Sequence, residues 1–206
     1  MGHRPGLVAF SIAAALIAGC ERHPTPAAEQ AAPPSAAPAP AEGARRSDVP
    51  VLADFDARVK DYVALHRRLE DTLPHLSNNS TPQQIDSHQR ALARLLQEAR
   101  ADATPGAIFT SDIQAVVQRL MAQVFGGPDG AALKASIMDE NPGPLKLTVN
   151  SRYPDTIPLS TVPPQVLQGL PTLPEELEFR FIGRHLILMD ERAHLVVDLM
   201  ENVLPR

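Results

Sequence analysis

Leu177-Glu178-Phe179-Arg180-Phe181-Ile182-Gly183-Arg184-His185-Leu186-Ile187-Leu188-Met189-Asp190, continued by Glu191-Arg192-Ala193-His194-Leu195-Val196-Val197-Asp198-Leu199-Met200, sets the architecture of this chain. Gly183-Arg184 reads as a two-residue turn with glycine first, the chemistry of a type II′ hairpin. That turn pairs Phe181 with Leu186 and Phe179 with Leu188, so all four side chains face one side. A second turn over Asp190 to Ala193 sets Leu188 opposite Leu195 and Leu186 opposite Val197. The strands then share one apolar face, and a slip of one residue would expose it, so the register is strongly specified.

Upstream the apolar period changes from two to between three and four. Leu52, Phe55, Val59, Tyr62, His66, Leu69 and Leu73 make one helical stripe that Pro74 closes. Thr81-Pro82-Gln83-Gln84 is a capping box with proline at the first helical position, and its helix carries Ile85, His88, Leu92, Leu95, Leu96 and Ala99 on one face. Thr110, Ser111 or Asp112 can cap a third helix bearing Ile113, Val116, Val117, Leu120, Met121 and Val124. A fourth, weaker helix spans about 129–139. Leu145, Leu147 and Val149 alternate as a short strand, and a proline-dense segment from Pro154 to Pro174 runs extended, with one helical turn at Pro164 to Leu170. Helices first and strands after predict an α+β fold: an N-terminal bundle of three to four helices packed on a C-terminal antiparallel β-meander of three to four strands.

The two ends of the chain differ in kind. Residues 21–50 hold nine Ala and seven Pro with almost nothing large and apolar. Such a stretch cannot bury enough surface to offset its ordering entropy and reads as an extended tether. Residues 51–206 form one domain, with 15 Lys+Arg against 20 Asp+Glu. That mixed, net-acidic balance argues against a nucleic-acid partner and against an electrostatic grip on anionic lipid.

Before the tether, an apolar run from Leu7 to Ala18 comes after the basic His3 and Arg4 and closes on Leu16-Ile17-Ala18-Gly19-Cys20, with Cys20 the only cysteine. The run is too short for a membrane-spanning helix, which needs roughly 20 residues, and has the length of a secretory h-region. This pattern resembles a bacterial lipoprotein signal peptide with its lipobox. The resemblance implies removal of residues 1–19, lipidation of Cys20 and anchorage of the chain to a bilayer, with residues 20–50 as the tether and 51–206 as the folded domain. Under the sorting rule of such proteins, Glu21 in place of Asp favours the periplasmic face of the outer membrane over the inner membrane. An acylated Cys20 leaves no thiol for a disulfide, a nucleophile or a zinc site. The run Leu173 to Asp190, with Val196-Val197-Asp198 and Leu204-Pro205, also resembles an uncharacterised family of bacterial exported proteins and lipoproteins. That likeness extends to Phe55 and carries no activity or catalytic residue.

Candidate chemistry is sparse. The hairpin register puts His185 opposite Asp198 on the outer sheet face, beside Arg180 and Glu178. An imidazole beside a carboxylate can be a proton-transfer pair, half of a metal site with His194 and Asp190, or a cross-strand ion pair on a solvated face. His66 and His88 sit in the stripes of the first two helices and could meet there, as metal ligands or as ordinary half-buried histidines. No Glu-x-x-His, Gly-x-Ser-x-Gly, phosphate loop or His-Glu-x-x-His occurs, so no cofactor, metal site or catalytic residue is expected. Ile182, Ile187, Met189 and Val196 make the outer face more apolar than solvation requires. Either the Pro154–Pro174 segment covers it, or it receives a periplasmic protein or a small apolar ligand. The candidate binding face is therefore Arg180, Ile182, His185, Ile187, Met189, Val196 and Asp198. The expected function is a non-catalytic interaction module, with a hydrolase using the His185–Asp198 pair as the alternative.

Overall fold

The meander forms with order β1-β2-β3, from β1 (Leu177–Ile182), β2 (His185–Asp190) and β3 (Leu195–Met200). A computed structural model of the chain describes residues 40–140, 147–158 and 160–205, with side chains described from Ser47 onward; the signal segment, Cys20 and most of the tether lie outside them. The first hairpin has the register its turn dictates: Phe181 faces Leu186 and Phe179 faces Leu188, with Gly183 at φ +55°.

The second hairpin corrects the expected register. Its loop is Glu191 to His194, with Asp190 opposite Leu195 and His194 taking φ +53°. A β-bulge then intervenes, so that Met189 faces Val196 but Leu188 faces Asp198. A bulge inserts one residue and re-aims the side chains beyond it. Val197 and Asp198 therefore both turn to the inner face, and His185 pairs with Ile182 rather than lying opposite Asp198. The Val197 carbonyl is taken up by Arg100 Nη2 at 3.0 Å.

Four helices of two or more turns precede the sheet: α1 (Pro40–Glu70), α2 (Pro82–Ala99), α3 (Ser111–Phe125) and α4 (Gly130–Glu140). A single turn, α5 (Pro164–Leu167), comes after them. The α+β class and its order, helices first and sheet last, are as the periodicities predict. The capping box of α2 is complete: Gln84 N donates to Thr81 Oγ1 at 3.3 Å, and Thr81 N to Gln84 Oε1 at 2.7 Å. Thr110 precedes α3 without a side-chain cap bond. Helix α1 begins at Pro40, so the last part of the expected tether, up to Pro50, is helical. There Asp48 Oδ1 accepts from Arg119 Nη2 of α3 at 2.5 Å.

The inner face of the sheet meets the helices through one apolar core. Phe55 of α1, Phe109 of the loop before α3 and Phe179 of β1 stack at centroid distances of 6.1 and 6.2 Å. A second, smaller core lies on the outer face, where Ile182, Ile187, Met189, Val196 and Leu199 pack with Tyr153 against Leu147, Val149 and Ile157. The chain thus covers its own outer face, but with residues that begin before Pro154. Of the expected strand at 145–149, 145 and 146 lie outside the described residues; 147 and 148 have no regular structure, and Val149-Asn150 form a turn. Asn150 N donates to Val196 O, Val196 N to Ser151 O, and Tyr153 N to His194 O, all at 2.8–2.9 Å, so 150–153 seals the free edge of β3.

Candidate functional site

The outer-face residues do not converge on one open surface. Ile187, Met189 and Val196 are fully buried, and Ile182 nearly so. Arg180 bonds the Ser160 carbonyl at 3.0 Å and the carboxylate of Glu178. His185 Nδ1 accepts from Asn202 N at 3.3 Å. A pocket of about 330 Å³ remains at one end, lined by Leu147, Ile182, His185, Ile187 and Leu199. Asp198 is elsewhere: completely buried on the inner face, it accepts from Gly106 N at 2.9 Å, Ile108 N at 2.7 Å and Phe109 N at 2.8 Å. Its own neighbour Leu199 N adds a fourth donor at 2.8 Å. A carboxylate with four backbone donors holds a loop in place, and the expected His185–Asp198 pair does not exist.

A different cluster of ionisable groups forms where α1 ends. Tyr62, His66 and Glu70 are spaced four apart, so they lie on one helical line, and that line faces the start of the β2–β3 loop. Asp190, fully buried, accepts from Tyr62 Oη at 2.7 Å, from His66 Nδ1 at 2.6 Å and from Ala193 N at 2.8 Å. The other ring nitrogen of His66 lies 3.2 Å from Glu70 Oε2. Both nitrogens of a fully buried ring therefore face carboxylate oxygens, and only the imidazolium donates to both. Burial alone would lower the His66 pKa, but the hydrogen bond and charge of Asp190, helped by Glu70, hold it above the ordinary value. Burial, then the charge of Asp190, push Tyr62 well up, so it stays a donor.

Glu70 carries the cluster to the surface. Arg192 Nη1 reaches its two oxygens at 3.1 and 3.3 Å, and His88 Nε2 of α2 lies 3.9 Å from Oε1. His66 and His88 do meet across the helix pair, as their stripes allow, but over a carboxylate. Neither His88 ring nitrogen has a hydrogen-bond partner, although both are buried. This corner opens into a cavity of about 520 Å³ between the end of α1, the loop after it, α2 and the β2–β3 loop. Leu76, Ile85 and Leu92 supply apolar wall, and Asp71, Glu191 and Arg192 the charged rim. Glu191 is held above the usual carboxylate range by a hydrogen bond with Glu178 and by burial.

His194 joins neither site: its Nδ1 donates to Asp155 Oδ1 at 3.1 Å, in a surface group with Arg152. Among the described residues no group of three or more His, Cys, Asp or Glu is arranged to hold a metal ion, and no helix is long and apolar enough to cross a membrane. The sequence marks His66 and His88 individually; what it does not reveal is Asp190 as the partner of His66, because that needs the loop length of the second hairpin. Family models, curated proteins and solved structures were each compared with the chain, and none matches.

Proposed function

We propose that this chain is a lipid-anchored cell-envelope protein whose folded domain is a non-catalytic binding module, with the cleft at the end of α1 as its ligand site. The anchor rests on Leu16 to Cys20 and on the lipoprotein resemblance those residues carry. The binding role rests on one observation. The two fully buried carboxylates that could serve acid–base chemistry, Asp190 and Asp198, are each saturated by donors of the fold, while a cavity of about 520 Å³ stands open beside Glu70 and His88. That volume is within the usual range of small-molecule sites. The hydrolase alternative loses its support with the separation of His185 from Asp198.

Mass spectrometry of the processed protein tests the anchor: the first peptide should begin at an acylated Cys20, and Cys20→Ala should move the protein to the soluble fraction. An unmodified first residue overturns the anchored reading. Turnover of a substrate by the purified full chain overturns the non-catalytic one.

A further inference from the structure

We propose that the free edge of β1 is a docking site for an extended peptide of another protein, which adds to the sheet as a further strand. In the first hairpin the pair flanking the two-residue turn, Ile182 and His185, is a hydrogen-bonded one, and so is every second pair beyond it: Arg180 with Ile187 and Glu178 with Met189. The intervening residues Leu177, Phe179 and Phe181 therefore turn their N–H and C=O groups away from β2. The two ends of this outward row are used. Leu177 N donates to Pro174 O at 3.0 Å, and Ser160 Oγ donates to Phe181 O. Between them, the Leu177 carbonyl and both the N–H and the C=O of Phe179 have no hydrogen-bond partner among the described residues. The opposite edge of the sheet is closed by 150–153 with bonds of this backbone kind; β1 has no such cover.

The gap opens into a groove of about 470 Å³ that touches residues 177–180 in succession. Side chains of a strand alternate between its faces, so a hollow lined by four consecutive residues runs along the backbone edge itself. Its far wall is apolar, from Val162, Leu167, Leu170 and Leu173, with Leu167 49 % exposed. Donors and acceptors spaced as in a β-ladder on one side, and an apolar wall on the other, complement an extended chain. One incoming residue exchanges two bonds with Phe179, and in an antiparallel strand the residue two further on donates to Leu177 O. The residue opposite Phe179 points its side chain to the inner face, where Val162 and Leu170 belong to the core. The flank cannot serve as that strand, because Pro163, Pro164 and Pro171 have no N–H to give. Nor does a second copy fit as well: its own sheet would bring its own flank into the same space, whereas a single strand brings none.

Amide hydrogen exchange and peptide titration, both followed by NMR of the full chain, test the proposal without altering the protein. In the free chain the Phe179 amide should exchange fast and those of Glu178 and Arg180 slowly; slow exchange at Phe179 would mean the edge is already covered and overturns the proposal. The probe is acetyl-Lys-Thr-Val-Thr-Leu-Lys-amide, with two copies N-methylated on alternate sets of backbone nitrogens. The unmethylated peptide should shift the Phe179 amide and slow its exchange about tenfold or more. Methylation of the set that faces β1 should weaken binding about tenfold or more, and methylation of the other set should leave it unchanged. Equal binding of the two methylated peptides, or no effect of the parent peptide at Phe179, sinks the proposal. Protection of Phe179 that rises with protein concentration alone assigns the edge to a second copy and sinks it too. None of these results bears on the cleft at the end of α1, which the peptide does not touch.

Discussion

Asp198 shows how much one carboxylate organises here. Its oxygens take the N–H groups of Gly106, Ile108 and Phe109, and those three residues place Phe109 between Phe55 and Phe179. Asp198→Ala strands buried donors that nothing else reaches. Each unsatisfied group costs about 1–3 kcal/mol, so the variant should lose about 3 kcal/mol or more in urea unfolding. Asp198→Asn keeps one acceptor and should lose less. Equal stability of Asp198→Ala and the parent chain would refute this role. The residue itself is conspicuous in the sequence as a lone acid in Val196-Val197-Asp198-Leu199-Met200. Its direction is hidden there, since strict alternation puts it on the outer face and only the bulge turns it inward. Arg100, which accommodates that bulge through the Val197 carbonyl and stacks 5.0 Å from the Tyr62 ring, gives no local signal, because its partners are 97 and 38 positions away in the sequence.

Among the elements, those with a strong local code are the ones the sequence reveals. The stripe of α1, the capping box of α2 and the Gly183 turn each depend on residues within one or two turns of each other, and each forms as predicted. Thr81→Ala removes a cap bond and should cost about 1 kcal/mol, measurable as a lower thermal midpoint. The joint between α3 and α4 is less legible. A Cβ on Gly130 would collide with the Phe125 carbonyl, so Gly130→Ala should lose about 2 kcal/mol or more, whereas replacing Gly183 by Asn, which tolerates positive φ, should cost far less. Unfolding midpoints of the two variants, compared side by side, check the contrast. The segments that composition misjudges are those whose state is decided by distant partners. Alanine- and proline-rich 40–50 reads as tether, yet Asp48 binds Arg119 of α3. Val149 alternates like a strand residue, yet Asn150 turns at φ +64° and spends its hydrogen bonds on Arg100 and β3.

At the scale of the molecule, a charged chain, Tyr62–Asp190–His66–Glu70–Arg192, joins α1 to the sheet beside the apolar core and the Arg67–Glu176 pair, and that join depends on a proton. His66 has its pKa raised in the folded state above the ordinary 6.5. The stability it adds is therefore complete below 6.5 and is lost as pH rises through the folded value, where the neutral ring turns a lone pair toward one of its two carboxylates. The acidic limb has other owners. Asp155 is lowered to about 2, chiefly by Arg152, and Glu176 is lowered from 4.5 by Arg67 despite burial. Their contributions are present above the ordinary carboxylate values and vanish as pH falls through the depressed ones, muted for Asp155 by its solvent exposure. Tyr62, pushed well above 10, adds nothing to the slope near neutrality. Urea unfolding from about pH 4 to about pH 9 should thus show a maximum on the acid side of neutrality and a fall above it. His66→Gln should lower stability by about 3 kcal/mol at the maximum, as expected for breaking a buried pair, and should flatten the alkaline fall while leaving the acidic limb in place. An alkaline fall of unchanged size in His66→Gln would assign the proton to some other group and remove His66 from the joint between helix and sheet.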